Sequence, residues 1–120
     1  MAKILVIEDD KISSALVQFG LKSEDFDVVI AHDGRMGLKQ LESEKIDLIV
    51  LDIMMPNMNG YEFMAEAKKM TDGRMPPVFI LTANEKLEDI FRMEGVKGYF
   101  VKPVDIGQLI KEVKTCLSIS

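Results

Sequence analysis

Asp47-Leu48-Ile49-Val50-Leu51-Asp52-Ile53-Met54-Met55-Pro56 is the stretch that decides the fold. Leu48 to Leu51 is an unbroken apolar run of strand length. A strand buried on both faces, at the centre of a parallel sheet, carries this pattern. The run stops at a carboxylate, Asp52, and Pro56 and Gly60 then punctuate a loop. Open parallel sheets place their working groups at the carboxyl ends of their strands. Asp52 stands at such an end.

Outward from this strand, the same unit repeats. Lys3 to Ile7 predicts a first strand ending in Glu8-Asp9-Asp10, followed by a helix in which Ile12, Ala15, Leu16 and Phe19 recur at helical spacing. Asp10 or Ser13 can cap that helix, and Gly20 weakens it slightly. Phe26 to Ala31 predicts a second strand. Asp33-Gly34 is a turn, and Met36, Leu38 and Leu41 form the next apolar face.

Beyond Asp52, Gly60 opens a helix with Phe63, Met64, Ala67 and Met70 directed inward. Pro76-Pro77 leads into a fourth strand, Val78 to Leu81, ending at Thr82. A short helix is expected from roughly Glu85 to Met93. Tyr99 to Val101 predicts a fifth strand that ends at Lys102-Pro103. Ile106, Leu109, Ile110, Val113 and Leu117 give a last amphipathic helix. This (βα)5 alternation implies an α/β fold, a doubly wound parallel sheet with helices on both faces and right-handed crossovers.

The totals narrow the function. A chain of 120 residues with 48% apolar content suits one domain with a real core. The net charge of −5 disfavours direct nucleic-acid binding, which needs a basic face. Apolar runs are strand-sized, so no membrane insertion is expected. The start has no signal-peptide layout. The single cysteine, Cys116, suits a reducing compartment. A cytoplasmic protein with no second domain is the expectation.

Four strands therefore end in Glu8-Asp9, Asp52, Thr82 and Lys102, and the sheet brings these ends to one edge. Each ending has a plainer reading by itself, as a turn former, a cap or a solvated loop. Together they form a chemical set. Crowded carboxylates repel unless a cation lies among them, and a hard divalent ion with oxygen ligands answers that need, Mg2+ first. Lys102 adds a second positive charge that can pair with Asp52 or a phosphoryl oxygen. Thr82 offers a hydroxyl donor, and Ala83 leaves the approach open. A carboxylate can take up a phosphoryl group as an acyl phosphate, with the protein mainly positioning charge.

These residues resemble the receiver domain of two-component response regulators, over the whole chain and most nearly the single-domain chemotaxis type. Ile4-Leu5-Val6-Ile7-Glu8-Asp9-Asp10 resembles the family's first strand and acidic pair. Asp52-Ile53-Met54-Met55-Pro56-Asn57-Met58-Asn59-Gly60 resembles its phosphoacceptor segment. Leu81-Thr82-Ala83 and Val101-Lys102-Pro103 resemble its two remaining motifs. The resemblance implies residues 1–120 as one receiver domain with flavodoxin-like strand order 2-1-3-4-5. Asp52 would be the phosphoacceptor, served by a sensor histidine kinase or phosphotransfer protein. Glu8, Asp9, Asp52 and the backbone carbonyl of Met54 would hold Mg2+, with Mn2+ as a substitute. The residues alone also admit Asp9-Asp10 as the acidic pair; the family pattern selects Glu8-Asp9.

Thr82 and Lys102 would bind phosphoryl oxygens, and Lys102-Pro103 would be a cis peptide. Thr82 and Tyr99 would switch together, remodelling a face for a downstream protein target, in a monomer or a phosphorylation-dependent dimer. The interval between Thr82 and Lys102 is short for the family, so the intervening helix is expected to be short or irregular.

Two other classes compete. One is the same fold acting as a binding module without phosphorylation, which has no need of the full acidic, Thr and Lys set. The other is an enzyme on a similar sheet. A flavodoxin-like protein needs a phosphate-cradling first loop, and Glu8-Asp9-Asp10 would repel phosphate. An aspartate-nucleophile phosphatase commonly carries a second Asp two positions on, where this chain has Met54. The expectation is a signalling phosphoacceptor, not an enzyme that turns over small substrates. His32 reads as a surface loop residue away from the site, Cys116 as packing, and Met36, Met64 and Met70 as core.

Overall fold

The computed structural model describes residues 1–55, 58–83, 86 and 95–117. Five strands form one parallel sheet: β1 (Lys3–Ile7), β2 (Asp27–Ala31), β3 (Leu48–Asp52), β4 (Val78–Thr82) and β5 (Gly98–Val101). Their order is β2-β1-β3-β4-β5. The helices are α1 (Lys11–Lys22), α2 (Gly34–Ser43), α3 (Gly60–Met70) and α4 (Ile106–Cys116). The helix expected from roughly Glu85 to Met93 lies largely outside the described residues.

Strand alternation sorts the core into two layers. Leu5, Ile7, Ile49, Leu51 and Ile80 face one side, where they meet Leu41 of α2 and Phe63, Met64 and Ala67 of α3. Ile4, Val6, Leu48, Val50, Phe79 and Leu81 face the other, against Val17 and Leu21 of α1 and Leu109 and Val113 of α4. Every residue of β3 and β4 is buried, which accounts for their unbroken apolar runs. Phe79 and Phe100 add a tilted ring pair with centroids 5.7 Å apart.

Local chemistry starts each helix where the strand ends require it. Asp10 caps α1 by accepting from Ile12 N at 2.9 Å and Ser13 N at 3.4 Å. Asp33 caps α2, Asp105 caps α4, and Asn59 with Glu62 forms a capping box on α3.

The phase of α1 differs from its most apolar stripe. Its buried residues are Ser14, Val17, Gly20 and Leu21. Ile12, Leu16 and Phe19 point outward, with 75%, 57% and 77% of their surface exposed. Gly20 is a close-packing residue: a Cβ there would stand 2.4 Å from Ile106 of α4. Small side chains at 14 and 20 let the helix lie tight on its neighbours, and the larger stripe is left to solvent. Met36 and Met70 are likewise exposed, contrary to their reading as core, whereas Met64 is buried. Among the described residues no helix is long and apolar enough to cross a membrane.

Candidate functional site

Strand register assembles the site. Ile7 pairs with Leu51, so Glu8 follows β1 at the level of Asp52. Asp52 pairs with Leu81, which sets Thr82 one step beyond it. Thr82 pairs with Val101, and Lys102 follows. Four chain segments thus deliver their polar ends to one edge, and the cis peptide expected at Lys102-Pro103 is present.

Glu8, Asp52 and Thr82 are buried, while Asp9 and Met54 are exposed. Glu8, Asp9 and Asp52 each offer a carboxylate oxygen, and these atoms lie within 4.8 Å of one another. Lys102 Nζ is 2.6 Å from Glu8 Oε1 and 3.4 Å from Asp52 Oδ2. The lysine therefore reaches Asp52 as expected, but its closer partner is Glu8. Met54 N donates to Asp52 Oδ1 at 3.2 Å and fixes the Asp52 side chain from its own loop.

Charge in this cluster is divided unequally. Burial, and then the adjoining Glu8 carboxylate, push Asp52 up to about 7, against the pull of Lys102 and the Met54 N–H. Burial also opposes ionisation of Glu8, but contacts with Asp52, Lys102 and the Ser13 hydroxyl outweigh it and hold Glu8 below the usual carboxylate range. Burial depresses Lys102, yet its two carboxylate partners win and its pKa is raised. Near neutrality the pocket thus holds an ionised Glu8–Lys102 pair beside an Asp52 that retains a proton part of the time.

The donor set fits a hard divalent cation. Three carboxylates with oxygens this close carry more negative charge than one lysine offsets, and the adjoining Glu8 adds to burial in raising Asp52. Exposed Asp9 leaves one side open for an ion to enter with its waters.

One residue stands nearer the site than its sequence context indicated. His32 is exposed after β2, but its Nδ1 lies 3.3 Å from the main-chain oxygen of Glu8, because Glu8 N is tied to Ala31 O at 3.0 Å.

The chain belongs to the response regulator receiver domain family, whose pattern matches residues 4–114. It is 34% identical over 119 residues to the response regulator ArlR of Staphylococcus saprophyticus, covering 98% of this chain and 53% of that protein. It is 36% identical over 117 residues to the alkaline phosphatase synthesis transcriptional regulatory protein PhoP of Bacillus subtilis, covering 96% of this chain and 48% of the relative. The chain spans about half the length of the curated relatives it matches.

Among solved structures, the chemotaxis protein CheY4 of Vibrio cholerae superimposes with a TM-score of 0.87 at 27% identity, covering 97% and 98% of the two chains. The response regulator TrrA of Thermotoga maritima, solved in complex with Mg2+ and BeF, gives 0.85 at 28% identity, covering 97% and 99%. Fold and family together define a receiver domain of two-component signalling.

Proposed function

We propose that residues 1–120 act as one phosphorylation-switched receiver and that Asp52 is its phosphoacceptor. The reading is carried by one observation: strand register gathers three carboxylates, Thr82 and Lys102 at a single edge, with the carboxylate oxygens within 4.8 Å. In the transfer, an Asp52 oxygen attacks phosphorus in line as the phosphorus–nitrogen bond to a donor histidine breaks. Lys102 and Thr82 take the phosphoryl oxygens. Glu8, Asp9, Asp52 and the backbone carbonyl of Met54 would hold Mg2+, or Mn2+ in its stead. When bound, the ion would supply positive charge favouring an ionised Asp52 and offsetting the phosphoryl oxygens. The TrrA complex with Mg2+ and BeF supports this assignment by likeness.

Met54 occupies the position two beyond the acceptor and carries no acid. That favours an acyl phosphate that persists as a signal over turnover of small phosphoesters. Thr82 and the half-buried Tyr99, which packs against the α2–α3 side of the core, are the switch pair.

The donor, a sensor histidine kinase or phosphotransfer protein, docks on α1. Ile12, Leu16 and Phe19 form an exposed apolar stripe on a helix with no acidic residue, in a chain of net charge −5. Lys11 and Lys22 bracket the stripe. An apolar groove of about 390 Å3 continues from Ile12 and Leu16 to Lys102 and Pro103. A donor helix with an acidic rim fits this face and leads to the acceptor.

Acetyl phosphate with Mg2+, followed by intact mass measurement, tests the reading. One phosphoryl adduct on the wild-type protein and none on Asp52→Asn is the expected result. An adduct on both would mean the acceptor is misassigned.

A further inference from the structure

We propose that His32 is a positioning residue: its Nδ1–H stands in for a missing sheet donor, holds the Glu8–Asp9 peptide, and so sets how the two acidic residues meet a divalent cation. The main-chain ladder between β1 and β2 ends with Ile7 paired to Ala31. One step further, Glu8 N–H still donates to Ala31 O at 3.0 Å. Were the parallel ladder to continue, the Glu8 carbonyl would accept from the main-chain N–H of Asp33. Asp33 instead caps α2, its Oδ1 accepting from Met36 N at 2.8 Å. The His32 ring takes the place of that donor, with Nδ1 3.3 Å from Glu8 O. A carbonyl oxygen can only accept, so the ring that makes this bond carries its proton on Nδ1.

The bond matters because of which carbonyl it holds. Glu8 O belongs to the planar peptide that joins a buried ligand to an exposed one. The Glu8 side chain is also gripped by Lys102 at 2.6 Å. Asp9 lies on the exposed side, so its carboxylate is aimed mainly by the main chain that carries it. Fixing the peptide plane reduces the ordering that cation binding would otherwise require. The ring is well placed to do this although it faces solvent. Its own main chain lies between buried Ala31, tied to Glu8, and Asp33, tied to α2.

The inference rests on the reading of Glu8 and Asp9 as cation ligands and does not need Asp52 to be the acceptor. The test compares His32→Asn with His32→Leu. Asn places an amide N–H where the ring Nδ1 stands, and Leu matches the shape of Asn without a donor. Calorimetric titration of the metal-free full chain with MgCl2 is the first readout. Mg2+ affinity is expected to fall about threefold in His32→Leu and to stay within about 1.5-fold of wild type in His32→Asn, the loss of one neutral, partly exposed hydrogen bond. The second readout is the wild-type protein alone, so it stands whether or not a variant folds. The chain has a single histidine, and long-range 1H–15N NMR correlation on its neutral ring should find the proton on Nδ1. Equal Mg2+ affinities in the two variants, or a wild-type ring with its proton on Nε2 and a bare Nδ1, would overturn the proposal alone. A wild-type protein with no saturable Mg2+ binding would discard the cation reading of Glu8 and Asp9, and the proposal with it.

Discussion

The ammonium of Lys102 lies 2.6 Å from the buried carboxylate of Glu8 and 3.4 Å from Asp52. Each residue of the closer pair needs the other. A fully buried carboxylate without a counter-charge is costly, and removing one partner of such a pair costs more than the pair itself contributes. Lys102→Ala should therefore destabilise the metal-free protein by roughly 2 kcal/mol, the partial exposure of the lysine limiting the loss. Mg2+ should recover much of it, because the cation takes over the compensation. Thermal melts with EDTA and with excess MgCl2 check this. A variant melting like wild type in EDTA would show the pair to be inert. The same variant should still bind Mg2+ and accept phosphate, but its partner affinity should no longer respond to phosphorylation.

Asp52 makes stability and metal affinity depend on pH in opposite ways. Its pKa near 7 lies above the ordinary value of 3.8. Between those values the folded protein binds more protons than the unfolded chain, so the contribution of Asp52 to stability is present at low pH and is lost as pH rises toward 7. Glu8 is shifted downward, and its contribution is lost only as pH falls below the usual glutamate range. From pH 5 to 8 the Asp52 effect stands alone, on the order of 2 kcal/mol after allowing for its coupling to Glu8. Mg2+ must displace the proton, so its affinity should rise with pH up to about 7 and then level off. Asp52→Asn should remove the slope and raise the melting temperature of the metal-free protein at pH 8. A wild-type melting temperature independent of pH in EDTA would contradict this.

The fold was legible in the sequence where burial dominates. β3 and β4 are apolar up to their last residue because both faces are covered, and their lengths exclude long helices. The residues that close those strands, Asp52 and Thr82, were readable for the same reason: a polar residue ending a buried run has a defined place. The phase of α1 was not readable. Ile12, Leu16 and Phe19 and the set Ser14, Val17, Gly20 and Leu21 both repeat at helical spacing. The choice between them is made by the close approach to Ile106, a tertiary fact. The preference of Lys102 for Glu8 depends on side-chain geometry across distant segments. Met36 and Met70 failed as core residues because a methionine at helical spacing carries no mark of which face it serves.

Gly37 fixes the distance between α2 and the strand that delivers Glu8. A Cβ there would stand 2.5 Å from Ile7 Cδ1 and 3.1 Å from Phe63 Cε1. Both side chains are fully buried and have nowhere to swing. Gly37→Ala gains up to about 1 kcal/mol in helix propensity, but overpacking should cost more and leave the protein less stable by roughly 1–2 kcal/mol. Urea denaturation measures the balance. A stabilised variant would mean that α2 can lift off β1 at little cost.

The outward stripe of α1 should matter to the protein donor and not to the chemistry. Leu16→Ser and Phe19→Ser remove apolar surface that already faces solvent, so each should change folding stability by no more than about 0.5 kcal/mol. Acetyl phosphate reaches Asp52 without touching this face, and its labelling rate should be unchanged. Transfer from a phosphorylated kinase or phosphotransfer domain should fall at least about tenfold in the double variant, as expected when apolar anchors are lost from a docking surface. Charge reversal at Lys11 and Lys22 should slow the same transfer chiefly through association, with the deficit shrinking at high salt. Stopped-flow transfer assays at two ionic strengths, beside acetyl phosphate labelling, separate the two effects. A double variant that receives phosphate from its donor at the wild-type rate would remove α1 from the docking surface.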